Sequence, residues 1–271
     1  MIVEKPLLCH ASNLAHKRRI AKDPSVITHL QRVEREYATF LKALNWGNCD
    51  PGWLEGPVQA LNAYTDVVKE VEKADRFFNW RSDFASSLLP EFLLRLIRHR
   101  LTNSGIQPLF STRDSIVDVT LSGYRDGGWT VRRKNQDLCV GLRTDRILLD
   151  EREFTFVVPL IAIEAKTNID INKLNGLDFS AERLKRTFPS SRYFLVTETL
   201  DYSLDRNYSG SIDEIYVLRK QMRSKARRSK DDYCPDVFEK FAEEVHYYVA
   251  KADLSKQHVY DRLVNGRLIN V

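Results

Sequence analysis

The chain has 271 residues, 43% hydrophobic and 29% charged, with four cysteines and a formal net charge of +5. That length suits one large domain or one core with an appended subdomain, and the balance is ordinary for a soluble globular protein. No apolar run reaches the roughly 18 residues of a membrane span, and the start MIVEKPLLCHASNLAHKRR lacks the continuous apolar stretch of a secretory signal, so no membrane partner is expected.

Residues 25–45 place apolar side chains at helical spacing behind a capping Ser25, and NWGNCDPGW at 45–53 interrupts the pattern with two glycines and a proline. A second amphipathic helix is predicted over 57–78. A third covers 82–101, where Pro90 either sits in the first turn or kinks the helix. From 115 the pattern alternates: a strand at 115–123, an Asp-Gly-Gly turn within 124–131, then strands over 137–150 and 154–167. A helix over 170–188, strands over 192–200 and 213–220, a helix over 236–252 and an Asn-Gly hairpin at 260–271 follow. The order predicts a mixed α/β (α+β) fold, a central mixed sheet flanked by helices behind an N-terminal helical region.

The stretch VVPLIAIEAKTNID (157–170) puts a carboxylate and a lysine on an otherwise apolar strand. Residues two apart share a strand face, so Ala162, Glu164 and Lys166 point one way and Ile161, Ile163 and Ala165 the other. An exposed ion pair contributes only about 0–1 kcal/mol, a weak structural reason for both charges. A hard cation gives a better one. Mg2+ takes one or two carboxylates with phosphate oxygens and waters, so Glu164 and the Ala165 carbonyl would hold it with Lys166 beside the scissile phosphate. The second carboxylate is expected from Asp145, nineteen residues before Glu164. Antiparallel pairing converges the two if the loop is longer than a tight turn at 151–152, with a break at Pro159. Asp137 and Asp118 are the alternatives.

Asp145, then Glu164-Ala165-Lys166, then a helix and the strand YFLVTET, resemble the PD-(D/E)XK nucleases over residues 85–220. The phrasing PLIAIEAKTNID…LKRTFPSSRYFLVTE is similar to Type II restriction endonucleases. The chain as a whole resembles one subunit of the heterodimeric BbvCI-like enzymes, which cut an asymmetric DNA site with two different subunits. The resemblance implies a restriction-endonuclease-like core, Mg2+-dependent hydrolysis of one strand of a specific double-stranded DNA site, and a second nuclease subunit, identical or different, in a bacterial cytoplasm. It makes Asp145 and Glu164 metal ligands with Ala165, Lys166 the catalytic lysine, and Glu91 the glutamate that the family often adds from a preceding helix. Thr144 stands where the motif name expects proline. Three parts are expected: a mainly helical region at 1–82 for DNA recognition or subunit contact, a nuclease core at 83–252, and a C-terminal hairpin at 253–271. A repair or junction nuclease of the same superfamily, or a non-catalytic DNA-binding subunit, are the alternative readings.

Basic residues cluster as Lys17, Arg18, Arg19 and Lys22; as Arg132, Arg133 and Lys134; and as Arg219, Lys220, Arg223, Lys225, Arg227, Arg228 and Lys230. Such islands suit a polyanion. DNA contacts are expected from Arg223, Arg227 and Arg228, and from Arg132, Arg133 and Lys134 on a hairpin of a size that fits the major groove. Cys9, Cys49, Cys139 and Cys234 are too dispersed for a zinc site, which predicts free thiols. No GK[ST] phosphate loop and no GxSxG occurs.

Overall fold

The structure, a computed structural model, describes residues 10–79, 84–107, 109–111, 115–122, 128–134, 136–143, 147–149, 152–154, 157–202, 208, 210–252 and 264; within 111–134 and 142–158 it describes backbone alone. Four helices come first: α1 (His10–Ile20), α2 (Pro24–Ala43), α3 (Glu55–Ala74) and α4 (Leu88–Asn103). The strands are β1 (Leu109–Ser111), β2 (Ser115–Ser122), β3 (Gly128–Lys134), β4 (Leu138–Arg143), β5 (Ile147–Leu149), β6 (Arg152–Phe154), β7 (Val157–Ile169), β8 (Arg192–Leu200) and β9 (Glu214–Val217). Helix α5 (Ile171–Thr187) joins β7 to β8, and α6 (Arg223–Ala226) and α7 (Pro235–Lys251) follow β9.

A five-stranded sheet runs β1-β4-β7-β8-β9. The β1–β4 and β4–β7 pairs are antiparallel, and the β7–β8 and β8–β9 pairs are parallel. A parallel pair needs a crossover, and α5 supplies it. Strands covered on both faces should be apolar where they are covered, and 159–163 of β7 and 193–196 of β8 are. Ile161, Ile163, Phe194 and Val196 pack with apolar residues of α2, α3, α4 and α7. Ala162, Tyr193 and Leu195 pack on the other face with Leu174, Ala181 and Leu184 of α5. The N-terminal helices thus share a core with the sheet.

Helix α2 buries Val26, Leu30, Val33, Tyr37 and Phe40 along one stripe, as its spacing predicts. Its cap is Asp23, which accepts from the Ser25 N–H, two residues before the expected position; Pro24 then opens the helix. Pro90 lies in the first turn of α4, where a missing N–H costs nothing. The expected strand over 137–150 is divided into β4 and β5, and β5 turns back on β6. The break expected at Pro159 is a bulge: Val140 pairs with Ile161 and Gly141 with Pro159, so Leu160 is skipped. The hairpin expected at 260–271 lies outside the described residues except for Val264, which has helical backbone. No described helix is long and apolar enough to cross a membrane.

Candidate active site

Strand β7 outruns its antiparallel neighbour. The ladder with β4 stops at the pair Leu138–Ile163, while pairing with β8 continues to Ile169. Among the described residues no strand of that sheet bonds the β4-side edge of β7 past Ile163, and Asp137 takes over there. Its Oδ2 accepts from the Ala165 N–H at 2.8 Å and from Lys166 Nζ at 2.8 Å. The same ammonium donates to Glu164 Oε2 at 2.8 Å. Glu164 is only 5% exposed, whereas the Lys166 and Asp137 side chains are each 33% exposed, so the cluster opens to solvent on their side. It lies on the α5 face of the sheet, the face shared with Ala162.

Burial pushes Lys166 down, but Glu164 and Asp137 together outweigh it and hold its pKa above the ordinary lysine value. The group therefore stays cationic. This is not the exposed pair assumed from the sequence: one carboxylate is buried, and two share one ammonium.

The expected partner of Glu164 was Asp145, which lies outside the described residues. The described residues flanking it, Arg143 and Ile147, pair with Val157 and Phe154, at the end of β7 remote from Glu164. That is the register of a tight turn, not of the longer loop, and it brings Asp137 to the place expected of Asp145. Asp118 has its backbone in β2 opposite Arg132. Glu91 is 1% exposed. Its carboxylate accepts from the Tyr37 hydroxyl, from the Ala11 N–H at 2.9 Å, and from Arg95 at 2.8 Å. These groups tie α4 to α1 and α2, so Glu91 has the bonding of a strut between helices. His10, beside Ala11 in α1, is held separately: Nε2 bonds the Tyr64 hydroxyl at 2.7 Å and Nδ1 the Phe84 carbonyl at 3.0 Å.

The hairpin of Arg132, Arg133 and Lys134 is present as the β2–β3 pair, with β2 against α5 and β7. The third basic island is mostly engaged within the fold. Arg219 is 2% exposed and donates to Glu198, which also takes Lys69. Lys220 pairs with Asp236, Arg223 with Asp201, Lys225 with Asp231 and Lys230 with Asp66. Arg227 and Arg228 are exposed. In the first island Lys17 is buried and sits over the Phe77 ring. Cys49 and Cys234 carry free thiols.

Among the described residues no three His, Cys, Asp or Glu side chains form a metal cage. The two carboxylates still fit Mg2+, which keeps most of its coordination for phosphate oxygens and water. Buried polar atoms without a hydrogen-bond partner also lie beside the cluster in sequence or register: Gln136 Oε1, Asn168 Nδ2 and the Tyr193 hydroxyl. Such orphans are expected where waters and ions belong.

The Bpu10I restriction endonuclease family model matches residues 83–265. Among solved structures, a chain of the native BbvCI A2B2 tetramer is 37% identical, with a TM-score of 0.71 over 91% of this chain and 96% of that one. The PspGI restriction endonuclease in complex with substrate DNA matches at 12% identity and a TM-score of 0.36, over 93% and 98%. No curated protein sequence matches. The family model spans well over half of the chain and the BbvCI chain is similar across nine tenths of it, so the protein belongs to the Bpu10I restriction endonuclease family.

Proposed function

We propose that this Type II restriction endonuclease hydrolyses one strand of a specific double-stranded DNA site through Asp137, Glu164 and Lys166, with Mg2+, and that a second subunit cuts the other strand. The observation that carries this reading is two carboxylates within 2.8 Å of one ammonium at the end of a buried strand. Asp137 and Glu164 would hold the cation with the Ala165 carbonyl, which leaves β7 on the same side as the N–H that Asp137 accepts. Mg2+ when bound supplies positive charge to the scissile phosphate and acidifies a water. Lys166 stays protonated between its neighbours, so it does not serve as a base; it donates to the phosphate or orients the water, and offsets charge in the transition state. Attack by water breaks the bond from phosphorus to the 3′ oxygen and leaves a 5′ phosphate.

The β2–β3 hairpin supports a groove contact through Arg132, Arg133 and Lys134, because it lies on the face that carries the cluster. We assign residues 1–82 to DNA recognition or subunit contact, and the chain to a bacterial cytoplasm. The similarity to a chain of the BbvCI A2B2 tetramer supports a partner subunit that differs from this one.

The test is supercoiled plasmid carrying the site, with Mg2+, this chain and its partner subunit. Linear product is expected from the wild type, and only nicked circles when this chain carries Asp137→Ala or Glu164→Ala. Asp145→Ala should still give linear product; wild-type cutting by Asp137→Ala with a dead Asp145→Ala would return the ligand role to Asp145. Linear product at the wild-type rate from Glu164→Ala would show that this residue is dispensable or that one site serves both strands.

A further inference from the structure

Tyr193 begins the apolar part of β8 and pairs in parallel register with Ala162, two residues before Glu164. Its ring is fully buried in the cluster under α5, on the sheet face that carries Glu164 and Lys166. Its backbone is pinned from the other side: the Tyr193 N–H donates to Asp213 Oδ2 at 2.7 Å, and the Tyr193 carbonyl accepts from the Asp213 N–H at 2.9 Å. The hydroxyl is buried and makes no hydrogen bond of good geometry, although the Glu164 carboxylate lies beside it. Of the charged groups around it, the Glu164 carboxylate is the one within reach of the hydroxyl, and Asp137 is the next it senses.

A buried hydroxyl left without a good bond is destabilising, and phenylalanine would fill the same space without that penalty. A role in packing alone therefore gives no reason for tyrosine. We propose that Tyr193 is a positioning residue for the metal site: its hydroxyl donates to Glu164 and orients the carboxylate once the cation has drawn Lys166 away from it. Donors of this kind fix a ligand's orientation, and their loss typically lowers metal affinity by about 10–100-fold. The inference rests on the reading of Glu164 as a metal ligand.

The experiment is thermal denaturation of the full chain, without DNA, across a Mn2+ titration, for wild type, Tyr193→Phe and Glu164→Ala. Mn2+ is the probe because it takes the same hard oxygen ligands as Mg2+. Tyr193→Phe should melt at or above the wild-type temperature without metal, yet need at least about tenfold more Mn2+ for the same upward shift. An identical Mn2+ response in Tyr193→Phe, with the response lost in Glu164→Ala, would overturn the role of Tyr193 and leave the metal site standing. A metal-free melting temperature well below wild type would make Tyr193 a packing residue and overturn it as well. An unchanged response in Glu164→Ala, or none in the wild type, would overturn the metal site itself.

Discussion

Glu91 and Glu164 are both buried, at 1% and 5% exposure, and each meets a basic side chain. Their surroundings differ. Glu91 accepts from the Tyr37 hydroxyl of α2, the Ala11 N–H of α1 and Arg95 one turn on in its own helix. Glu164 shares its lysine with a second carboxylate, next to buried polar atoms that lack partners. Burial pushes the Glu91 carboxyl up, but its donors outweigh that and hold it below the ordinary glutamate value. The Glu91 carboxyl is therefore charged at neutral pH although its partners are structural, so charge alone does not separate a strut from a site. What separates them is whether the partners are fixed by the fold or can be exchanged for a ligand.

Truncating the two residues should have opposite consequences. Glu164→Ala should lower this chain's strand cleavage by at least about 10³-fold, as loss of a metal ligand and its charge stabilisation implies, while the urea midpoint stays near wild type. Glu91→Ala should cost about 2–4 kcal/mol in the same urea melts, because the Tyr37 hydroxyl and Ala11 N–H lose their acceptor inside the protein, and should leave the rate per folded molecule unchanged. A folded Glu91→Ala protein that fails to cut would move Glu91 into the active site and erase the distinction.

Lys166→Ala sharpens the comparison from the cation's side. The rate should fall about 10²–10³-fold, with DNA binding in Ca2+ retained; unchanged turnover would make the lysine an ion-pair partner like Arg95.

The helical region around Glu91 also has a pH signature. Burial lowers His10 from 6.5 to about 4 against the opposing pulls of the Phe84 carbonyl and Glu91; the hydroxyls of Tyr64 and Ser87 also face the ring. The unfolded chain binds a proton below about pH 6.5 and the folded one does not until about pH 4, so stability is full above that upper value and falls with decreasing pH. About 3 kcal/mol should be lost across the window. Urea midpoints between pH 7 and 4.5 measure it, and His10→Gln should flatten the dependence; an equal slope in the variant would remove His10 as the cause.

The smallest effect concerns the surface. Arg227 and Arg228 are exposed, whereas Arg223 already pairs with Asp201. Neutralising Arg227 and Arg228 should flatten the salt dependence of log K on duplex DNA by about 0.9 per lost phosphate contact. Arg223→Gln should change the slope less.

Glu164 and Lys166 stood out in the sequence because two charges on an apolar strand conflict with its burial, and the fold brings a third charged group, Asp137, to them. Asp137 was harder to choose. The choice among three aspartates depends on the turn between β5 and β6 and on the bulge at Pro159, and a one-residue slip in either exchanges the faces. Helix α1 left no apolar pattern, since two of its three buried residues are His10 and Lys17. The basic run from Arg219 to Lys230 looked like a single polyanion surface because charge counts carry no information about partners. The acids that engage it, Glu198, Asp201, Asp231, Asp236 and Asp66, are brought there by the fold.

Strand β3 ends at Lys134, and Asp137 follows three residues later. That tether is at most about 10 Å of chain when fully extended. If the ribbon seats in the groove and Asp137 holds the cation, as proposed, no more than that length of chain joins the reading element to the cutting one. A sequence that seats the ribbon a residue out of place would pull Asp137 off the Ala165 N–H and Lys166, so mismatched DNA would be discriminated by a misassembled centre as well as by weaker attachment.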